Sequence, residues 1–406
     1  MKCKAFLLLL FFVPVWCLVR AQHSVGIFEN SVDIGSPRIA GSASYDESTQ
    51  SYTIRGGGSN IWFNRDEFHF LYKKIKGDFI LTADFAFTGD TNGAVGHRKI
   101  GWMIRESADE GAASANACKH IDGLVVLQWR PYHGMYMRDP EEERFYPKRG
   151  GQTIQLSRIG KTITMKIAHP GEPLQLVGSY ETETLGGEVL AGLYICAHDS
   201  NVLASARVWN VRIDKPVLHP WTSNPHVVSP AVRETLGSRL EIIDLADNSR
   251  RVIRESKGRL EAPNWMPDGK RLDTGSVRIN HVDAPEYSPD RKYIYYNANV
   301  SGTMQIWRMR PDGSGKEQLT FDDYRNWFPH ISPDGKWIAY ISFPMDINPD
   351  EHPSYEDVTL RVMPLTTPGA PRVIAYLYGG QGTLNAPAWS PDSKRLAFIS
   401  NSEVFQ

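Results

Sequence analysis

The 406-residue sequence sets 45 Lys and Arg against 46 Asp and Glu, a formal net charge of −1, with 22% charged and 11% aromatic residues. That balance leaves no electrostatic footprint for nucleic acid or an anionic membrane surface. A chain of this length has room for two or three domains, and its 34 glycines and 26 prolines suit short strands joined by turns.

At the N-terminus, Met1 to Lys4 include Lys2 and Lys4, and Ala5 to Val19 form an apolar run closed by Arg20-Ala21-Gln22. This is the pattern of a secretory signal cut after Ala21. The run is about 15 residues, short of the roughly 20 a spanning helix needs, and no later segment is long and apolar enough. The expectation is a periplasmic or secreted chain with no membrane span. A lipid anchor at Cys17 is the alternative reading, against which stands Trp16, a bulky residue where such signals want a small one. Cleavage would leave Cys118 and Cys196 in an oxidising compartment, where a bridge is permitted, but a lone pair carries no spacing information to dictate one.

Residues 22–215 read as one domain of strands. Phe79, Leu81, Ala83, Phe85 and Phe87 alternate with Ile80, Thr82, Asp84 and Ala86, the period of a strand with one buried face. The alternation recurs in Lys161 to Ile167 and Leu193 to His198, with turn clusters at Gly56-Gly57-Gly58, Gly89 to Gly93, Gly150-Gly151 and Gly186-Gly187. No stretch carries a 3.6-residue repeat, so a β-sandwich is expected. Tyr52-Thr53-Ile54, Trp62, Phe68-His69-Phe70, Lys76-Gly77-Asp78-Phe79 and Gly101-Trp102-Met103-Ile104-Arg105-Glu106-Ser107 resemble concanavalin A-like jelly-roll domains of the laminin-G and enolase-regulation type. Gly192 to His198 and Ala206 to Val211 are similar to the last strands of that family.

The jelly-roll resemblance implies binding, often of carbohydrate, on a concave sheet face. Arg105, Gln128 and Arg130 are the candidate ligand-binding residues, polar side chains inside otherwise apolar strands, with Trp62, Trp102 and Trp129 as flat faces for sugar rings. The competing expectation makes the tryptophans core and pairs the arginines with Glu106 or Asp122.

Residues 216–225 form a linker with prolines at 216, 220 and 225, expected to act as a semi-rigid hinge. Residues 226–406 contain an internal repeat. Its copies are Ala262 to Lys270, Ala284 to Asp290, Phe328 to Lys336 and Ala386 to Asp392, centred on Met/Ser-Pro-Asp. Proline presets one turn position and the Asp side chain bonds nearby backbone. Each copy runs into an alternating strand, as at Trp337 to Ser342. These residues resemble the TolB-type β-propeller repeat. Arg239 to Leu245 look like outer strands without inner partners, which Ala386 to Ser400 would supply in a shared closing blade.

The repeat spacing departs from that family. Pro285 and Pro329 are 44 residues apart and Pro329 and Pro387 are 58, but Pro263 and Pro285 only 22. The expected fold is therefore all-β: a jelly-roll β-sandwich followed by a reduced or truncated propeller of about four blades, one incomplete. The damaged junction at Leu272 to Ala284 is the expected first site of proteolysis.

No Gly-x-Ser-x-Gly elbow, phosphate loop, zinc-spaced cysteine pair or calcium loop is present. His281, His330, His352 and Gln381 fall at or near blade entrances. Resemblance to pectin-oligosaccharide lyases on related propellers implies a manganese site at His330, His352 and Gln381, and imidazole suits a first-row divalent ion. The expectation is an exported, non-enzymatic binding protein, without a cofactor, whose partners are envelope proteins or glycans. The alternative is a metal-dependent lyase or hydrolase of acidic oligosaccharides.

Overall fold

The computed structural model describes residues 24–89, 96–138, 140–216, 236–257, 260, 263–265, 268–270, 272–273, 286–366, 369–384, 386 and 388–403. The segment expected to be a signal, residues 1–21, as well as linker residues 217–225, His281 and most of the half-blade junction, lies outside the described residues. Among the described residues there are 27 strands and no helix, so none that could cross a membrane.

Two seven-stranded antiparallel sheets form a sandwich. The first runs β1 (Asn30–Ile34), β4 (Phe68–Ile75), β13 (Val189–Cys196), β6 (Lys99–Arg105), β7 (Ser114–His120), β8 (Val125–Arg130) and β9 (Glu143–Phe145). The second runs β12 (Gln175–Glu181), β11 (Thr162–Ala168), β10 (Thr153–Ile159), β5 (Phe79–Thr88), β14 (Ala204–Asp214), β3 (Ser51–Gly56) and β2 (Ser42–Asp46). Alternate residues meet between the sheets: Phe79, Leu81, Ala83 and Phe85 of β5 face Ile100, Trp102 and Ile104 of β6 and Leu193 and Ile195 of β13. The Trp102 indole N–H donates across the layer to the Ile154 carbonyl at 3.1 Å, which satisfies the one polar atom of a fully buried ring.

The first sheet is covered on its other face too. Phe68, Phe70, Met103, Val126 and Tyr194 pack there beneath Ile61 and Met137, which come from loops. Burial on both faces explains why β6, β8 and β13 are buried along their whole length and read as near-continuous apolar runs. Cys118 and Cys196 are buried free thiols. They pair with Gly101 and Lys99 on opposite sides of β6. Two strand spacings, about 9–10 Å, exceed the roughly 7 Å a disulfide can bridge, and burial pushes both thiols up to about 11.

Beyond the sandwich lie four smaller sheets. β15 (Leu236–Asp244) sits between β16 (Arg250–Lys257) and β27 (Arg395–Glu403), so the two ends of the region share one sheet. β17 (Asn264–Trp265) pairs only with β18 (Leu272–Asp273). The two four-stranded sheets run β19 (Glu286–Tyr287), β20 (Ile294–Ala298), β21 (Gln305–Met309), β22 (Glu317–Gln318), and β23 (Arg325–Ile331), β24 (Trp337–Phe343), β25 (Ser354–Pro364), β26 (Arg372–Gly380).

The Ser-Pro-Asp repeat has one construction. The hydroxyls of Ser288, Ser332 and Ser390 donate to Asp290, Asp334 and Asp392 at 2.7, 2.6 and 2.6 Å. Each also accepts the backbone N–H five residues on, at 3.0 Å from Tyr293, 3.0 Å from Trp337 and 2.9 Å from Arg395. The turn is thus closed by its own side chains where it feeds the next strand.

Sandwich and blades meet through polar groups. Gln50, in the β2–β3 turn, exchanges two hydrogen bonds with the Val252 backbone, 2.8 and 3.0 Å. Glu241 of β15 is fully buried and binds Arg212 of β14, Arg250 of β16 and the Ser400 hydroxyl of β27. Burial alone would raise the Glu241 carboxyl, but Arg212 and Arg250 override it and hold it well below the carboxylate range.

Candidate functional site: a polar cavity at one end of the first sheet

Three strand ends converge at one end of the first sheet. Lys99 opens β6 and is the cross-strand partner of His120, which closes β7, and of Cys196, which closes β13. His97 precedes β6 and His198 follows β13, so three imidazoles meet, with the His97 ring 5.5 Å from His120 and 5.3 Å from His198. His198 takes φ 55°, a left-handed conformation in which His is among the residues tolerated. Together with Asn60, Trp62, Gln128 and Glu143 they line a cavity of about 320 Å³.

The side chains here are polar, buried and incompletely partnered. His120 is 3% exposed, yet among the described residues neither ring nitrogen has a hydrogen-bond partner. Burial, then Lys99 and His97, push its imidazole down to about 3, so it is neutral at pH 7. His198 is pushed down for the same reasons. Lys99 is also 3% exposed, and its ammonium donates to two neutral oxygens, the Ile61 carbonyl at 3.2 Å and Asn60 Oδ1 at 3.3 Å. On β8, Gln128 donates Nε2–H to Glu143 at 3.2 Å, while its Oε1 accepts from no described residue.

Of the residues singled out in the sequence, Gln128 lines this cavity and the two arginines do not. Arg105 and Arg130 are fully buried and converge on Asp66, itself fully buried, rather than on Glu106 or Asp122. Arg105 Nη1 donates to Asp66 at 2.6 Å, and Arg130 donates through Nη1 and Nη2 at 2.7 and 2.6 Å. Their other N–H groups go to the carbonyls of Ser107, Asp109, Met135, Ala112 and Phe63. The clamp fixes the loops that bring Trp62 to the cavity and place Phe63 and Tyr136 edge to face, 6.2 Å apart, on the surface beside it. Trp102 is core, and Trp129 stacks on Tyr180 at 4.4 Å; among the three tryptophans, Trp62 is the one at the cavity.

The blade-entrance residues are placed differently. His330 Nδ1 lies 2.6 Å from Glu286, and its Nε2 donates to the Leu384 carbonyl at 2.8 Å, so oxygen atoms occupy both nitrogens. His352 packs its ring on Trp327 and Phe328, at 4.5 and 5.2 Å. Gln381 is tied by its backbone N–H to the Pro353 carbonyl at 2.9 Å. Among the described residues, no group of three or more His, Cys, Asp or Glu side chains is placed to hold a metal ion. His281 lies outside the described residues.

Sequence reasoning missed His97, Lys99, His120 and His198. Their signal was a basic residue at the end of each of three buried strands, legible only once those strands are known to be neighbours.

No protein-family model matches the sequence. An uncharacterized protein of Agrobacterium fabrum is 38% identical over 157 residues, which cover 33% of this chain and 53% of that protein. The chain thus spans about half the length of this curated relative. Among solved structures, a protein of Agrobacterium tumefaciens provisionally assigned as TolB is 25% identical, with a TM-score of 0.37 over 42% of this chain and 99% of that one. A carbohydrate-binding module of Bacillus subtilis is 14% identical, TM-score 0.30, over 47% and 96% of the two chains. Lectin II of Ulex europaeus is 7% identical, TM-score 0.31, over 48% and 95%. At these scores the likenesses are coarse and assign no ligand.

Proposed function

We propose that this chain is an exported binding protein that takes a hydroxyl-rich ligand of the carbohydrate class into the cavity between Lys99, His120 and Gln128. The observation that carries this reading is the unfilled hydrogen-bonding capacity of His120 and Gln128, both buried and both facing the same cavity. A buried polar group without a partner costs about 1–3 kcal/mol, and native structures tolerate few of them without a reason. A neutral imidazole offers one donor and one acceptor, and an amide oxygen offers an acceptor; sugar hydroxyls supply the complement of each. A volume of about 320 Å³ is at the small end of ligand sites and fits a short glycan segment, with Trp62 as a flat wall. Export rests on the Met1 to Ala21 pattern, and the blades are assigned to protein contacts in the envelope.

The test is calorimetric titration of the full chain with glycan fragments selected on an array. Binding is expected, with a loss of at least tenfold in His120→Leu/Gln128→Leu, no change in His330→Leu, and no change on adding a chelator. Absence of binding across the array, or equal binding by the double variant, would remove the cavity from consideration.

A further inference from the structure

Resting on that reading, we infer that the ligand is an acidic sugar whose carboxylate sits against Lys99. The cavity is electrically lopsided. At one end stands a buried ammonium with three N–H donors and two neutral acceptors, Ile61 O and Asn60 Oδ1. Around it are His97, His120 and His198. A buried cation is stable when an anion compensates it, and among the described residues the hydrogen bonds of Lys99 reach none. The carboxylate lining the cavity, Glu143, lies on β9, three strands across from β6. There it is engaged by Gln128.

The two ends therefore ask for different groups. A ligand carboxylate completes the donor set of Lys99 and accepts from an imidazole N–H beside it. Ring hydroxyls donate to Gln128 Oε1 and Glu143 at the far end. A neutral sugar satisfies the second end and leaves the first uncompensated; a bare inorganic anion does the reverse.

The experiment compares a galacturonate trisaccharide, the matched neutral galactose trisaccharide and sulfate alone, each titrated against the full chain and against Lys99→Met and Lys99→Arg. The galacturonate trisaccharide is expected to bind at least tenfold more tightly than the neutral one and 100-fold more tightly than sulfate. Lys99→Met should erase the preference while retaining neutral binding, and Lys99→Arg should keep it. Should Lys99→Met fail to fold, raising salt on the unsubstituted protein must weaken the acidic trisaccharide selectively. Equal binding of the two trisaccharides, or a preference that survives Lys99→Met, overturns the assignment of charge and leaves the cavity reading intact. Binding of neither trisaccharide overturns both.

Discussion

The sandwich and the blades treat buried polar groups in opposite ways. In the blades and at their border with the sandwich they are closed into circuits: Glu241 with Arg212, Arg250 and Ser400, and Asn326 with Gln305, Ser342 and Asp322. Orphaned atoms there are scattered single atoms of side chains from different strands and loops, such as the indole N–H groups of Trp307 and Trp327, the Thr359 and Thr383 hydroxyls and Nε of Arg250 and Arg361. In the sandwich, the Asp66 clamp is closed in the same manner, but His120 and Gln128 are left open and open onto a common space. Closed circuits fix an architecture, whereas a cluster of open ones around a cavity marks a place reserved for a molecule from outside.

The comparison breaks most visibly at Asp66. Asp66→Ala leaves two fully buried guanidiniums without their anion, and removing one partner from such a site costs about 3–5 kcal/mol. Urea titration should show a loss of that size, together with faster proteolysis around Trp62 and Phe63.

A smaller loss, about 3 kcal/mol, is expected for Glu241→Gln, and it should appear at the border. Two unfolding transitions should replace one in calorimetry, the blades melting first. The wild type gives the same answer through pH. The Glu241 carboxyl is depressed in the folded chain, so its contribution is present above the ordinary carboxylate value of 4.5 and is lost as pH falls below it. Acid should separate the two regions before it unfolds the sandwich.

The cavity provides the mildest contrast. His120 titrates at about 6.5 when unfolded and about 3 when folded. Between those values the unfolded chain binds the extra proton, so its contribution is full above pH 6.5 and declines as pH falls, by about 2 kcal/mol at pH 5. His120→Leu should flatten that part of the stability profile; an unchanged slope would mean that water already reaches the ring.

Much of the scaffold was legible in the sequence because its causes are local. Period-two runs such as Phe79 to Phe87 declare a buried face, and Ser-Pro-Asp turns declare where a hairpin feeds a strand. The pairing of β15 with β27 was also legible, since Arg239 to Leu245 carried an outer-strand pattern with no inner neighbour. The site was not, because its residues share no local pattern. Arg105 and Arg130 stood out as polar residues in apolar strands, but their partner Asp66 comes from an irregular loop with no periodicity. Lys99, His120 and His198 come together only through the order of β6, β7 and β13, which nothing in a strand's own residues specifies. Trp62 and Trp102 look alike in a sequence; what separates them is that a carbonyl, Ile154 O, waits for the Trp102 N–H.

The seam between β15 and β27 also sets a timetable for the nascent chain. One edge of Leu236 to Asp244 is covered by β16 soon after it emerges, but the other must wait for Arg395 to Glu403. At roughly 5–20 residues per second of synthesis, that interval is on the order of ten seconds or longer. Throughout it β15 presents an unpaired edge of the kind that recruits strands from other chains, so a holding chaperone matters more to the blades than to the sandwich, whose core is complete once Ile213 has emerged.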